Sequence, residues 1–122
     1  MKPGALFDTN ILIDLSRGHA EASLEVSQHD QRFISRINFI EVLAGVVEQN
    51  ARETRRLLDL FATFDLSIQI AERAALLRRT TRLKLPDAII YATALEHDLT
   101  LVTRNTKDFS ETMPNVRIPY LL

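Results

Sequence analysis

The chain has no cysteine, which excludes disulfides, zinc–thiolate centres and thiol nucleophiles and is compatible with a reducing cytoplasm, the location expected here. It has no run approaching the roughly 20 apolar residues that cross a bilayer, so no membrane is expected among its partners. Met1-Lys2-Pro3-Gly4 is followed by only three apolar residues before Asp8, too short a stretch for the core of a signal peptide. Charge of one sign is not in excess either. The 15 basic and 16 acidic residues leave a net charge of −1, so a nucleic-acid partner must be read from where the cations lie, not from their number. Repeats, low-complexity tracts and linkers are missing too. What remains is 122 residues with 46% apolar content, enough for one domain over 1–122 that buries about two thirds of its unfolded surface without staples.

Hydrophobic patterning alternates between short strands and longer helices. Ala5-Leu6-Phe7 reads as a buried strand ending at Asp8, with Asn10 placed to cap a helix through Ile11 to Leu15. Gly18 breaks that pattern, and a helix over Ala20 to Gln28 leads to a second strand, Arg32 to Ser35. Helical patterns then cover Ile37 to Val47 and Ala51 to Phe64, followed by a short strand over Asp65 to Ile68 and a helix over Ile70 to Thr81. Pro86 suits the first turn of a helix running to about His97, because the N–H it lacks has no partner there. Leu101 to Thr103 and Val116 to Ile118 complete the strands. This order predicts an α/β fold, a central mostly parallel sheet of about four to five short strands flanked by helices, with its site at the carboxyl ends of the strands.

Four acids sit in or beside apolar segments: Asp8, Glu41, Asp87 and Asp108. Removing a carboxylate from water is costly unless a cation meets it, so the pattern points to a shared pocket for a divalent ion. Each acid also has a structural explanation. Asp8 is placed for a turn or cap, although Asn10 is available for that task. Glu41 lies on a helix apolar nearly all round and therefore expected to be buried; its near neighbours Asn38, Ala44 and Gly45 leave room beside it, which favours a functional role over a place on a narrow solvent-facing strip. Asp87 at a helix N-terminus gains about 0.3–1 kcal/mol from the helix dipole without any ligand. Asp108 follows a strand and is placed to cluster with Thr103 and Asn105, or to serve in a turn.

Taken together, Asp8-Thr9-Asn10, Asn38-x-x-Glu41, Leu85-Pro86-Asp87-Ala88-Ile89-Ile90-x-Ala92-Thr93-Ala94 and Leu101-Val102-Thr103-Arg104-Asn105-x-x-Asp108-Phe109 resemble the motifs of the PIN-domain ribonucleases, most of all the VapC-type toxins of prokaryotic toxin–antitoxin pairs. The resemblance covers essentially the whole chain. It implies that the four acids bind one or two Mg²⁺ or Mn²⁺ ions and cleave RNA, and that the protein is a homodimer held inactive by a VapB-type antitoxin. Two positions depart from the family pattern: Asn38 stands where a small hydroxyl residue is common, and Tyr91 where a small residue is.

In the mechanism expected on this basis, Asp8 and Asp87 are the main metal ligands and Asp108 completes the site. Glu41 holds or deprotonates the attacking water, and Thr9, Asn10, Asn38, Thr103 and Asn105 support these groups. Four clustered acids without metal should titrate as a coupled set with at least one pKa raised. RNA approaching an acidic pocket needs cations at the rim, and Arg78, Arg79, Arg82, Lys84, Arg104 and Lys107 are the candidates. Arg52, Arg55 and Arg56, interspersed with acids, read as an ordinary solvated face, and His19, His29 and His97 share no ligand spacing. Two other classes of function compete. A catalytically silent RNA- or antitoxin-binding module keeps the fold and drops the chemistry. A receiver-type signalling domain would need paired acids at the first strand and a lysine after the last, which this pattern does not provide.

Overall fold

A computed structural model describes residues 4–122; residues 1–3, with the Met1-Lys2-Pro3 lead, lie outside them. Five strands form one sheet: β1 (Ala5–Phe7), β2 (Arg32–Ser35), β3 (Ala62–Phe64), β4 (Thr100–Val102) and β5 (Val116–Arg117). Their order is β3-β2-β1-β4-β5, with every neighbouring pair parallel. β1 is central because Ala5, Leu6 and Phe7 are all fully buried, as a strand covered on both faces requires. The chain leaves β1 toward β2 on one side and later returns to β4 on the other, so the crevice above β1 and β4 is the topological switch point where α/β sheets bind ligands.

Six helices flank the sheet: α1 (Thr9–Ser16), α2 (Ala20–Ser27), α3 (Arg36–Ala44), α4 (Ala51–Leu58), α5 (Ile68–Thr80) and α6 (Leu85–Glu96). Gly18, at φ +78°, makes the turn between α1 and α2 that the sequence marks as a break. α6 begins with Pro86 in its first turn and buries Ala88, Ile90, Tyr91, Ala92, Thr93 and Ala94. One core layer joins Leu6, Ile90, Ala94 and Leu101 to α5 through Ile70 and Ala74. The other joins Phe7, Ile11, Leu12 and Ile34 to α3 and α4 through Val42 and Leu58.

Three sequence expectations are corrected. The helix expected to run from Ala51 to Phe64 stops at Leu58, and Ala62–Phe64 pairs with β2 instead; the strand expected over Asp65 to Ile68 is the approach to α5, whose first free N–H groups are capped by the Ser67 hydroxyl accepting from Ile70 N–H at 3.1 Å. Ile37 to Val47 is neither as long nor as buried as its composition implies. α3 ends before Gly45 and rests on the core through Asn38 and Val42, leaving Ile40 and Glu41 exposed. The third correction concerns the cap of α1: Asp8, not Asn10, is the N-cap, its Oδ1 accepting the Thr9 N–H at 2.8 Å.

Candidate active site

Asp8 leaves the end of β1 and projects over the switch point, only 3% exposed. Both its oxygens are held. Oδ1 accepts from Thr9 N–H, while Oδ2 accepts the Thr103 hydroxyl at 2.8 Å and the Asn10 amide at 3.4 Å. Thr103 follows β4, so the two central strands meet at this carboxylate. Asn10, released from capping, bridges them: its Nδ2 also donates to Thr103 at 3.3 Å, and its Oδ1 accepts the Arg104 N–H at 3.2 Å.

Glu41 reaches the same crevice from α3. Its Oε1 accepts the Thr9 hydroxyl at 2.6 Å, and Thr9 accepts the Asn38 amide at 3.0 Å. Asn38 is completely buried. Its Oδ1 takes both the backbone N–H and the hydroxyl of Ser35, closing the capping box of α3 at the end of β2. Asp108 arrives from the loop after β4. Asn105 holds it twice, donating to Oδ2 at 3.0 Å and accepting the Asp108 N–H at 3.2 Å, while Asn105 N–H donates to Thr103 at 3.0 Å. Phe109 anchors this loop edge-on against Tyr91, with ring centroids 5.6 Å apart. The Tyr91 hydroxyl donates to the Pro114 carbonyl at 2.6 Å, which explains a large side chain at that position.

Asp87 stands in the first turn of α6, half-buried. Burial, then the charges of Asp8, Asp108 and Glu41, push its pKa up to about 6, opposed by Lys84. All four acids therefore act on one volume of space. Burial likewise raises Asp8, against the hydrogen bonds it accepts from Thr103, Thr9 and Asn10. The expectation of a coupled set with a raised member agrees with both shifts.

An all-oxygen donor set of this kind suits Mg²⁺ or Mn²⁺ rather than a soft metal. Among the described residues no three acids close into a ready cage. That is compatible with Mg²⁺, which keeps several waters and takes one or two carboxylates directly. A separate cleft of about 560 Å³ lies between α1, α3 and α4, lined by Leu15, Val42, Val46 and Leu57 among others, and holds none of the four acids.

The expected cationic rim divides. Arg79, Arg82, Lys84 and Lys107 are exposed and take part in no ion pair among the described residues. Arg78 donates to the Leu83 carbonyl at 2.8 Å, bracing the approach to α6. Arg104 differs from these: its guanidinium pairs with Asp14 through Nε and Nη2.

Asp14 is one of two buried acids that the sequence reading passed over, although Ile11-Leu12-Ile13-Asp14-Leu15 carries the same signal as the other four. Arg104 holds its pKa below the usual range through hydrogen bonds to both oxygens, and Tyr120 adds a hydroxyl at 2.8 Å. Glu25 is the other. Arg117 on β5 grips both its oxygens at 2.7 and 2.8 Å and lowers its pKa, with His29 as a third contact at 2.8 Å. These two acids are met by arginine; the four in the crevice are not.

The family model for the PIN domain matches residues 5–113. A curated relative, ribonuclease VapC1 of Rickettsia felis, is 31% identical over 120 residues, covering 87% of this chain and 88% of its own. A chain in a structure described as a toxin–antitoxin complex from Klebsiella pneumoniae is 47% identical, with a TM-score of 0.91 over 98% of this chain and 100% of its own. A DNA-bound VapBC structure from Salmonella typhimurium shares the fold, at 22% identity and a TM-score of 0.78 over 96% of each chain.

Proposed function

The chain belongs to the PIN-domain family, and from that premise we propose that it is a metal-dependent endoribonuclease, hydrolysing RNA phosphodiester bonds as the toxin of a VapBC-type pair. The observation that carries this reading is the convergence of four carboxylates from β1, α3, α6 and the loop after β4 on the switch point; burial, and then the charges of Asp8, Asp108 and Glu41, raise the Asp87 pKa to about 6. Arginine neutralises the buried Asp14 and Glu25, whereas no arginine pairs with the four crevice acids among the described residues, and a divalent ion is the partner that suits them.

Asp8, Asp87 and Asp108 would hold Mg²⁺ or Mn²⁺, as one or two ions. Such an ion would supply charge relief at the phosphate and lower the pKa of water. Glu41 orients the attacking water and takes its proton, while the departing ribose oxygen leaves with a proton from solvent. Asn10 and Thr103 keep Asp8 fixed between β1 and β4, Asn105 keeps Asp108 facing the crevice, and Thr9 and Asn38 steady Glu41. Arg79, Arg82, Lys84 and Lys107 carry the phosphate backbone to the crevice, with Lys84 set just ahead of Asp87.

The partner is a VapB-type antitoxin, a reading supported by the toxin–antitoxin complexes among the structural relatives. Exposed apolar residues on and near α3 and α5, Ile40, Val47, Leu66 and Ile68 among them, support self-association as a homodimer. No helix of the described residues is long and apolar enough to cross a membrane; with an RNA substrate, the location is the cytoplasm. Incubation with total cellular RNA tests the proposal: discrete cuts in Mg²⁺ or Mn²⁺ that EDTA abolishes support it, and binding without cleavage in either metal returns the protein to the silent-module reading.

A further inference from the structure

We infer that Ser35 and Asn38 are positioning residues that aim the Glu41 carboxylate through the single hydroxyl hydrogen of Thr9; the inference rests on the nuclease reading above. The network has one direction. Ser35, the last residue of β2, donates twice into Asn38 Oδ1, from its backbone N–H at 2.8 Å and its hydroxyl at 2.9 Å. An amide turned the other way would face two donors with its own NH₂, so Nδ2 must point to Thr9, 3.0 Å away. Thr9 Oγ1 accepts there, and its one hydrogen is then given to Glu41 Oε1, at the short 2.6 Å of a hydroxyl bound to a carboxylate.

The consequence falls on an exposed, flexible side chain. A solvent-facing glutamate samples many rotamers, yet this one is tied through a fully buried asparagine to the end of β2. Thr9 follows Asp8 directly, so the relay fixes Glu41 relative to the principal acid. It also occupies Oε1, leaving Oε2 as the oxygen for the attacking water. A hydroxyl residue at position 38 could reverse its bond, whereas an amide carries donor and acceptor on separate atoms and cannot.

Asn38→Asp tests this with little change of shape. It keeps the oxygen that accepts from Ser35, and so the cap of α3, but replaces the donor to Thr9 by an acceptor that competes with Glu41 for the Thr9 hydrogen. Thr9→Val removes the hydroxyl and Thr9→Ser retains it. On an RNA that the wild-type chain cuts, Asn38→Asp and Thr9→Val should lower kcat roughly 10- to 100-fold with KM near wild type, and Thr9→Ser should restore kcat; Thr9→Val should melt near wild type, whereas Asn38→Asp, whose added carboxylate is fully buried, should melt lower. The ¹³C resonance of the Glu41 side-chain carboxyl should move in the first two variants and hold in the third. Wild-type kcat with an unmoved resonance in Asn38→Asp, or a Thr9→Ser variant as impaired as Thr9→Val, overturns the relay. If the wild-type chain cuts no RNA, the nuclease reading falls by itself and the resonance decides the relay: displaced in Asn38→Asp it stands, undisplaced it fails.

Discussion

Arg104 donates through Nε and Nη2 to both oxygens of the buried Asp14, at 2.5 and 2.9 Å. The pair ties the loop that carries Asn105 and Asp108 to the middle of α1, so a side chain beside the crevice has an architectural task. Truncating it leaves a buried carboxylate with only the Tyr120 hydroxyl. Arg104→Ala should therefore cost about 3 kcal/mol of unfolding free energy, measured by urea denaturation. A loss below about 0.5 kcal/mol, as at an ordinary surface cation, would show the pair to be incidental.

Acid sensitivity follows from Asp14 and Glu25. Arg104 and Arg117 hold both carboxyls below their ordinary range, so the folded state binds fewer protons than the unfolded chain and stability rises with pH across that interval. Their contribution is complete above the unfolded value of roughly 4 and is lost as pH falls through the lower folded values. Melting followed from pH 6 down to pH 2 should fall steeply below about pH 4, and Arg117→Gln should flatten the fall. Parallel curves for the two proteins would contradict this assignment.

Metal and mutation should each relieve the unfavourable charge at Asp87 and so raise the melting temperature. Its raised pKa reports burial and repulsion from Asp8, Asp108 and Glu41, so without metal Asp87→Asn should melt above wild type at pH 7.5. Millimolar Mn²⁺ should then raise the wild-type melting temperature, by the equivalent of about 2.7 kcal/mol at a hundred times Kd, and leave the variant almost unmoved. Equal shifts in the two proteins would place the ion elsewhere.

The rim makes a separable prediction. Removing Arg79, Arg82, Lys84 or Lys107 one at a time should leave melting within about 0.5 kcal/mol of wild type. Each should weaken RNA binding and lower the slope of log K against log salt by roughly 0.7 for a single strand. A residue whose loss leaves that slope unchanged lies outside the RNA path.

Much of this was legible in the chain because burial on both faces leaves continuous apolar strands: Ala5-Leu6-Phe7 and Leu101-Val102 announce β1 and β4, and with them the switch point and the acids that follow. The edge was not. β3 reads as the tail of a helix because Phe61 and Phe64 continue a helical spacing, and only its pairing with β2 makes it a strand. Composition also misplaced α3, since apolar residues such as Ile40 lie on its exposed side. Acids in apolar surroundings pointed to the crevice but equally to Asp14 and Glu25, and sequence alone does not show that their counter-charges come from 90 and 92 residues away. The arginine partners are distant in the chain, and Arg117 and Tyr120 fall beyond the residues that match the family.

Cleavage of RNA at the four-acid crevice is the decisive property of this protein. The measurement is end-mapping by sequencing of total cellular RNA after incubation with Mn²⁺ and either the wild-type chain or Asp87→Asn, both shown to be folded by melting. Discrete new ends in the wild-type sample, absent with the variant and with EDTA, are the predicted result. The same ends produced by Asp87→Asn, or none produced by the wild-type chain in Mg²⁺ or Mn²⁺, would contradict it.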